Sequence, residues 1–142
     1  THTIDTSKED WLEKVLEITE GKGVDVLIDM LSGDYVNLNM EATKINGYLI
    51  NIGRLAGMSS NFDYDLHAKI RLHYIGTTGR TRSIDENIEV LRRTVKDLSK
   101  FVDSGEIKHV IHKVFKLKQA NEALNIMNEN KHFGKLVLLI VN

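Results

Sequence analysis

Apolar residues along the chain recur in two alternating spacings, one typical of buried strands and one typical of helices. Runs rich in β-branched residues, such as Val24–Asp29, predict strands that are buried on both faces. Between these runs, apolar residues recur every three or four positions, which predicts helices with one buried face. The predicted strands cover residues 3–5, 24–29, 48–52, 72–75, 110–117 and 136–141. Because the strands alternate with helices, we predict a parallel sheet of the α/β class.

Local signals mark the ends of most of the predicted helices. Thr6 and Glu9 form a capping-box pattern at the start of the first helix, which we expect to end near Gly21. The second helix is predicted to run through Ile45 and to end at Gly47, as at a C-terminal glycine. Further helical faces cover residues 67–71, 84–102 and 120–127. The cap and stop signals of the longest helix are Ser83, Glu86 and Gly105.

Length, charge and hydropathy narrow the class of protein. With 142 residues, the chain is long enough for one domain, and 42% apolar with 27% charged residues is ordinary for a globular protein. A formal net charge of −1 offers no electrostatic attraction to nucleic acid or to an anionic membrane. No apolar run approaches the roughly 18 residues of a membrane-spanning helix. We therefore expect a soluble, cytoplasmic protein that binds neither nucleic acid nor membrane.

Candidate catalytic and metal-binding groups are sparse. The chain has no Cys, which excludes disulfides, thiol nucleophiles and cysteine-ligated zinc. His109 and His112 are three residues apart in a predicted strand and so face opposite sides, and we expect no metal site. Asp25 and Asp29 face one side of another strand. We expect Asp29, at the strand end, to orient a loop, and we assign no catalytic residue.

Four segments occur in one order along the chain: GKGVDVLIDMLSG at 21–33, INGYLINIGRLAG at 45–57, IGTTGRTRSIDEN at 75–87 and NKHFGKLVLLI at 130–140. Together they resemble the medium-chain dehydrogenase/reductases, specifically the zinc-free quinone oxidoreductase (zeta-crystallin-like) branch. The resemblance covers essentially the whole chain. It implies the C-terminal portion of such an enzyme, because in the family a catalytic domain, two Rossmann strands and a glycine-rich turn come first.

The fold implied by this resemblance is α/β. It is a partial Rossmann domain, a doubly wound parallel sheet lacking its first two strands, followed by a C-terminal strand–helix–strand segment. Residues 1–108 would belong to the dinucleotide-binding domain, and residues 109–142 would return to the catalytic domain. The strand at 3–5 would then lack its family neighbours, and we expect it to pair beside Val24–Asp29.

The resemblance also implies an NADPH site on the strand ends, where ligands bind in open parallel sheets. The candidate cofactor-binding residues are Leu31, Ser32, Gly53, Arg54, Leu55, Thr77, Thr78, Arg80 and Lys135. Simpler readings stay open for several of these residues. Gly53 fits a plain turn, and Ser32 fits a helix cap. Arg80 fits a solvated loop, and Lys135 fits a cationic cap on the last strand.

By resemblance, the intact enzyme passes hydride from NADPH to a quinone or an α,β-unsaturated carbonyl compound. The chain contains no G-x-G-x-x-G turn for the pyrophosphate, so we expect the 142 residues alone to be inactive and to bind NADPH weakly or not at all. Two other functions stay open. The chain could be a non-catalytic α/β binding module, or part of an enoyl reductase unit of a larger synthase.

A homodimer is expected through the segment from Leu72 to Thr78. In the family, the outermost strand of the cofactor domain pairs with its twin across a two-fold axis. This segment carries no Lys or Pro to protect an edge strand from pairing, and its β-branched end suits antiparallel pairing. Arg71 and Arg80 flank the segment, so like charges meet near the axis in some registers.

Overall fold

The computed structural model describes residues 2–140, which divide into two compact units between Arg82 and Ser83. The first unit carries a three-stranded sheet, and the second carries a two-stranded one. The sequence-based boundary at 108 concerns which domain of a full-length enzyme each segment joins, and it stays a prediction.

The sheet of the first unit is parallel and has the order β1-β2-β3. Its strands are β1 (Val24–Asp29), β2 (Thr43–Asn51) and β3 (His73–Gly76). In register, Leu27 lies opposite Leu49, and Leu49 lies opposite Tyr74. The α/β class and the parallel pairing of the three central strands are therefore confirmed.

Three helices accompany this sheet: α1 (Trp11–Ile18), α2 (Val36–Glu41) and α3 (Tyr64–Ile70), with a 3-10 turn at Gly33–Tyr35 before α2. The core lies on one face of the sheet, where Met40 of α2, Leu49 of β2 and Leu72 are buried together. Leu27, Phe62, Leu66 and Ile70 pack against this cluster. The core therefore combines apolar side chains from helices and from strands, as expected for an α/β fold.

The beginning of the chain differs from its prediction. Residues 3–5 form no strand, and α1 starts at Trp11 instead of near Thr6. Asp10 caps α1, because its Oδ1 accepts hydrogen bonds from the amides of Leu12 and Glu13 at 2.9 and 3.0 Å. A carboxylate that accepts two amides fixes the helix start more firmly than the Thr6 pattern.

The predicted pairing of residues 3–5 beside β1 is therefore wrong. Within residues 2–140, β1 pairs with β2 alone, so its other edge is open. Val26 and Ile28, on the sheet face away from the core, are 50% and 63% exposed. The prediction that this strand is buried on both faces is therefore wrong, and an apolar strand with one free edge is the outer boundary of the sheet.

The second helix also differs from its prediction, because α2 ends at Glu41 and β2 begins at Thr43. The Thr43 hydroxyl donates to the Asn39 carbonyl at 2.7 Å, so the chain turns directly from helix to strand. Ile45 and Gly47 consequently lie within β2. A Cβ at Gly47 would lie 2.5 Å from Thr43 Cγ2, so this glycine permits close packing inside the strand instead of ending a helix.

The second unit confirms the predicted strand–helix–strand segment. Its elements are α4 (Ile84–Asp103), β4 (Ile111–Lys116), a 3-10 turn at Leu117–Gln119, α5 (Ala120–Asn128) and β5 (Lys135–Leu139). The two strands are parallel, and Phe115 and Ala123 are buried. The capping box of Ser83 and Glu86 at the start of α4 is confirmed. The apolar stripe of α4 is exposed, with Leu91 64% and Val95 62% accessible.

We predict that Leu49→Ala destabilises the first unit by about 2–5 kcal/mol, because it empties part of a fully buried core. Urea unfolding measures this loss, and the fluorescence of Trp11 reports on the same unit. Ile28→Ala, at a 63% exposed position of β1, is the matched control and should cost much less. Equal losses for the two variants would contradict the position of the core.

Candidate functional site

The carboxyl ends of β1, β2 and β3 meet at one edge of the first sheet. Asp29 lies opposite Asn51, and Asn51 lies opposite Gly76. The Ile52 amide donates to the Asp29 carbonyl at 2.8 Å, and the Thr77 amide donates to the Asn51 carbonyl at 2.9 Å. The three loops that begin here contain the predicted residues 31–32, 53–55 and 77–78. The structure therefore brings these seven residues to one edge.

Asp29 holds the first of these loops. Its Oδ1 accepts hydrogen bonds from the amides of Leu31 and Ser32 at 2.8 and 2.9 Å, and its Oδ2 lies 3.2 Å from Ser32 Oγ. Asp29 is only 3% exposed. A buried carboxylate with this many donors is satisfied within the protein. The expectation that Asp29 orients a loop is confirmed.

Ser32 and Asn51 connect the first loop to the second. Ser32 Oγ lies 2.8 Å from the Gly53 carbonyl, and Asn51 Nδ2 donates to both Ser32 Oγ and the Gly53 carbonyl. Ser32 precedes the 3-10 turn but makes no side-chain capping bond, so its hydroxyl bridges the loops instead of capping a helix. Sequence reasoning missed Asn51, although a lone amide in the apolar run 48–52 was a usable signal.

The backbones of these two loops are also in close contact. The Leu55 amide donates to the Met30 carbonyl at 3.2 Å, and the Ala56 amide donates to the Leu31 carbonyl at 2.8 Å. A Cβ at Gly53 would lie 2.5 Å from the Met30 carbonyl oxygen. Gly53 is therefore required for the approach of two backbones, beyond any role as a simple turn residue.

A small cavity of about 180 Å³ opens beside the bridged loops. We call it the Arg54 pocket. It is lined by Ser32, Gly33, Val36, Asn51, Arg54, Met58, Ser59, Ser60, Phe62 and Tyr74. Arg54 Nη2 donates to the Thr77 carbonyl at 3.5 Å, which links the second loop to the third. The rings of Phe62 and Tyr74 are stacked, with centroids 6.0 Å apart and planes 6° from parallel.

The surroundings of the pocket shift the pKa of the Tyr74 hydroxyl. Burial raises the pKa of its hydroxyl, the charge of Asp29 raises it further, and the Arg54 guanidinium lowers it. The net direction is upward, so the phenol stays protonated in neutral solution. The pocket therefore combines one permanent cation with one neutral hydroxyl.

A second, larger cavity of about 810 Å³ runs along the open edge of β1. It is lined by Thr6, Trp11, Val15, Val24, Val26, Leu27, Ile28, Asp29, Met30, Leu31, Tyr35, Asn39 and Leu55. Most of these side chains are apolar. The groove therefore follows the unpaired strand and reaches the first loop of the candidate site.

The remaining predicted residues make no hydrogen bond with Asp29, Ser32 or Asn51 within residues 2–140. The Arg80 amide donates to Thr78 Oγ1 at 3.2 Å, and the side chains of Arg80 and Arg82 are exposed. Lys135 begins β5 in the second unit, where its amide donates to the Val110 carbonyl at 2.8 Å. Approach of Arg80 and Lys135 to a cofactor phosphate stays a prediction.

Metal-binding clusters and membrane-spanning helices are both absent from residues 2–140. Within this range no group of three or more His, Asp and Glu side chains is arranged to hold a metal ion. His112 lies against His132, with ring centroids 6.3 Å apart, and this pair lacks a third ligand among the same residues. No helix in the range is both long enough and apolar enough to cross a membrane.

We predict that Asp29→Ala destabilises the first unit by about 1–3 kcal/mol, because two buried amides lose their acceptor. Hydrogen exchange should show loss of protection at the amides of Leu31 and Ser32. Asp25→Ala is the matched control on the same strand, since Asp25 is exposed and pairs only with Lys44 at the surface. Unchanged exchange in Asp29→Ala, or an equal effect of the control, would contradict the anchoring role.

Comparison with known proteins identifies the family. The family described as zinc-binding dehydrogenase matches residues 1–138. The quinone oxidoreductase-like protein 2 homolog of Nematostella vectensis is 27% identical, over 97% of this chain and 38% of that protein. The NAD-dependent alcohol dehydrogenase of Sulfolobus acidocaldarius is 32% identical, over 95% of this chain and 36% of that protein. The chain thus spans little more than a third of each relative.

A solved structure extends the likeness to three dimensions. The quinone oxidoreductase of Pseudomonas syringae pv. Tomato DC3000 superimposes with a TM-score of 0.80 at 24% identity, over 98% of this chain and 42% of that one. Quinone oxidoreductases, alcohol dehydrogenases and enoyl reductases of synthases all occur among the relatives. The sheet resembles the C-terminal, NAD(P)-binding, Rossmann-like part of these enzymes. The chain belongs to the zinc-binding dehydrogenase family, within the medium-chain dehydrogenase/reductases.

Proposed function

We propose that these residues form the nicotinamide side of the cofactor site of an NADPH-dependent reductase that acts on a quinone or an α,β-unsaturated carbonyl compound. The observation that carries the proposal is the meeting of three loops at one strand edge, held together by Asp29, Ser32 and Asn51. Ligands of open parallel sheets bind outside the carboxyl ends of the strands. Relatives with quinone oxidoreductase, alcohol dehydrogenase and enoyl reductase names support hydride chemistry.

Each loop has a part in this proposal. Leu31 and Ser32 of the first loop, Gly53, Arg54 and Leu55 of the second, and Thr77 and Thr78 of the third offer backbone groups to the cofactor. Arg80 and Lys135 are proposed to approach its phosphates as cations. When bound, the nicotinamide supplies the hydride, and the protein supplies position and a dry surface.

Zinc has no part in the proposed reaction. The resemblance to the zeta-crystallin-like branch implies zinc independence, and the absence of Cys from these 142 residues is compatible with it. In enones and quinones, negative charge develops on the carbonyl oxygen through the conjugated system. A hydrogen-bond donor at that oxygen suffices to stabilise this charge.

The 142 residues alone are proposed to lack tight affinity for NADPH. Dinucleotides are held mainly through the pyrophosphate, on backbone amides of a glycine-rich turn and a helix N-terminus. No G-x-G-x-x-G occurs in the chain. The activity proposed here is therefore that of a full-length protein that contains these residues.

We predict that titration of NADPH with the chain, followed by the fluorescence of the reduced nicotinamide, shows no saturation in the micromolar range. Tight, saturable binding would contradict this account, because a pyrophosphate site would then have to exist within the chain.

At millimolar NADPH, amide chemical shifts should move at 31–32, 53–55 and 77–78. The amides of residues 96–103, at the C-terminal end of α4, serve as an internal control and should not move. Absence of any shift in the three loops, with the protein folded, would contradict the proposed nicotinamide site.

We also propose that two copies pair through the segment from Leu72 to Thr78. Within residues 2–140, β3 pairs with β2 alone, and all four of its residues are exposed. The Thr77 amide donates towards β2, so by alternation along the strand the Tyr74 amide points to the free edge. An exposed edge without a protecting charge favours pairing with a second copy.

Light scattering on the purified chain tests this contact. We expect a dimer that Tyr74→Pro converts to a monomer, because the proline removes an edge donor without breaking the β2–β3 ladder. Ile28→Pro, on the opposite edge of the sheet, is the control and should stay dimeric. A monomeric parent chain, or a dimeric and folded Tyr74→Pro, would overturn the assignment.

A further inference from the structure

The Arg54 pocket contains two hydrogen-bond donors that the surrounding protein uses little. The five guanidinium N–H groups of Arg54 make a single hydrogen bond within residues 2–140, the 3.5 Å contact with the Thr77 carbonyl. The Tyr74 hydroxyl has no hydrogen-bond partner in that range. Both side chains line the same cavity. The pocket is thus supplied with donors and has room for an acceptor atom.

The floor of the pocket does not compete for that acceptor. Ser32 and Asn51 are 8% and 5% exposed, and they bond to each other and to the Gly53 carbonyl. The donor groups of both side chains are therefore used within the loop network. Arg54 and Tyr74 remain as donors for a ligand, beside the hydroxyls of Ser59 and Ser60 that also line the pocket.

The walls and the volume limit what can enter. The stacked rings of Phe62 and Tyr74 provide a flat apolar surface, and Met58 adds a flexible apolar side chain at the rim. A volume of about 180 Å³ is smaller than the roughly 300–1,000 Å³ of sites for drug-sized ligands. These dimensions suit one small planar ring.

The proposed reaction develops a negative charge on the acceptor, and these donors would stabilise that charge. When hydride from the nicotinamide forms a bond to the conjugated acceptor, the displaced π-electron pair moves onto the carbonyl oxygen. The cofactor is oxidised to NADP⁺, the acceptor is left as an enolate or phenolate, and one proton completes the reduction. A permanent cation and a neutral hydroxyl at that oxygen stabilise the anion more than the neutral substrate.

We propose that the Arg54 pocket binds the carbonyl oxygen of a small, single-ring acceptor, with the Arg54 guanidinium and the Tyr74 hydroxyl as the two donors. This inference rests on the proposed reductase function and assigns the acceptor subsite within it. The backbone of residues 53–55 then serves the cofactor, while the side chain of Arg54 serves the acceptor. Because its pKa is raised, Tyr74 holds its proton in neutral solution and donates it in the hydrogen bond.

The probe for this subsite is 4-nitrophenolate, a redox-inert anion with the shape and charge of a reduced single-ring quinone. Titration of the isotope-labelled chain at mildly alkaline pH, followed by amide chemical shifts, should give saturable changes at Arg54, Phe62 and Tyr74. Arg54→Met should weaken binding about tenfold or more, since it removes a hydrogen bond to a charged group. Tyr74→Phe should weaken it by a smaller factor.

Three controls make the outcome decisive. Arg93→Met changes an exposed arginine of α4 and should bind as the parent does. Nitrobenzene, the neutral counterpart of the probe, should bind more weakly to the parent and equally to parent and Arg54→Met. Arg54→Gln is a second variant, used if Arg54→Met loses the dispersed spectrum of a folded chain.

The proposal is overturned if the parent shows no saturable binding, if Arg54→Met and Arg54→Gln bind the anion as the parent does, or if nitrobenzene binds as tightly as the anion. No cofactor is present in these titrations. If the chain binds the phenolate but NADPH causes no amide shifts, the proposed function is rejected and only an anion-binding site remains. NADPH shifts without phenolate binding would reject the acceptor subsite alone.

Discussion

The buried carboxylate of Asp29 is the constraint on which the candidate site depends. Parallel strands end at a common edge, but nothing in strand geometry alone fixes the loops that follow. Asp29 fixes the first loop by accepting hydrogen bonds from the amides of Leu31 and Ser32. The hydrogen bond between Ser32 and Asn51 then holds the second loop against the first. Gly53 completes the arrangement, because any side chain there would separate the two backbones. Preorganised backbone groups of this kind are what a cofactor site requires.

The same sheet is incomplete as a parallel sheet. Parallel sheets are normally covered on both faces, yet Val26 and Ile28 are exposed on one face of β1, and an apolar groove follows its open edge. The relatives are more than twice as long as this chain. We therefore propose that residues outside these 142 complete the sheet and hold the cofactor pyrophosphate. This agrees with the weak cofactor affinity proposed for the chain alone.

Sequence reasoning succeeded where a local signal had one physical meaning. The β-branched run 24–29 predicted a strand, which forms there although its outer face is exposed, and Ser83 with Glu86 predicted the start of the longest helix. Asp29 was interpretable because it ends an apolar strand. The strand ends then predicted the positions of the three loops, since parallel strands share one carboxyl edge.

The failures occurred where one local signal outweighed another, or where the partners of a side chain meet only in the folded state. Thr6 offered a cap, but Asp10 accepts two amides and determines where α1 begins. Gly47 suggested a helix end, but the turn occurs earlier, at Thr43, and Asn46 adopts a left-handed conformation with φ of 60° inside β2. The bridging role of Asn51 depends on two loops that meet only in the folded state, so its partners had no signature in the sequence.

The central claim is that this chain supplies the nicotinamide side of a cofactor site and not the pyrophosphate side. The most direct test compares the two halves of the cofactor on the isotope-labelled chain, using reduced nicotinamide mononucleotide and 2′-phospho-AMP. The account predicts that the nicotinamide half shifts the amides of 31–32, 53–55 and 77–78, while the adenosine half leaves them unchanged. Shifts caused by the adenosine half, or by neither half, would contradict it.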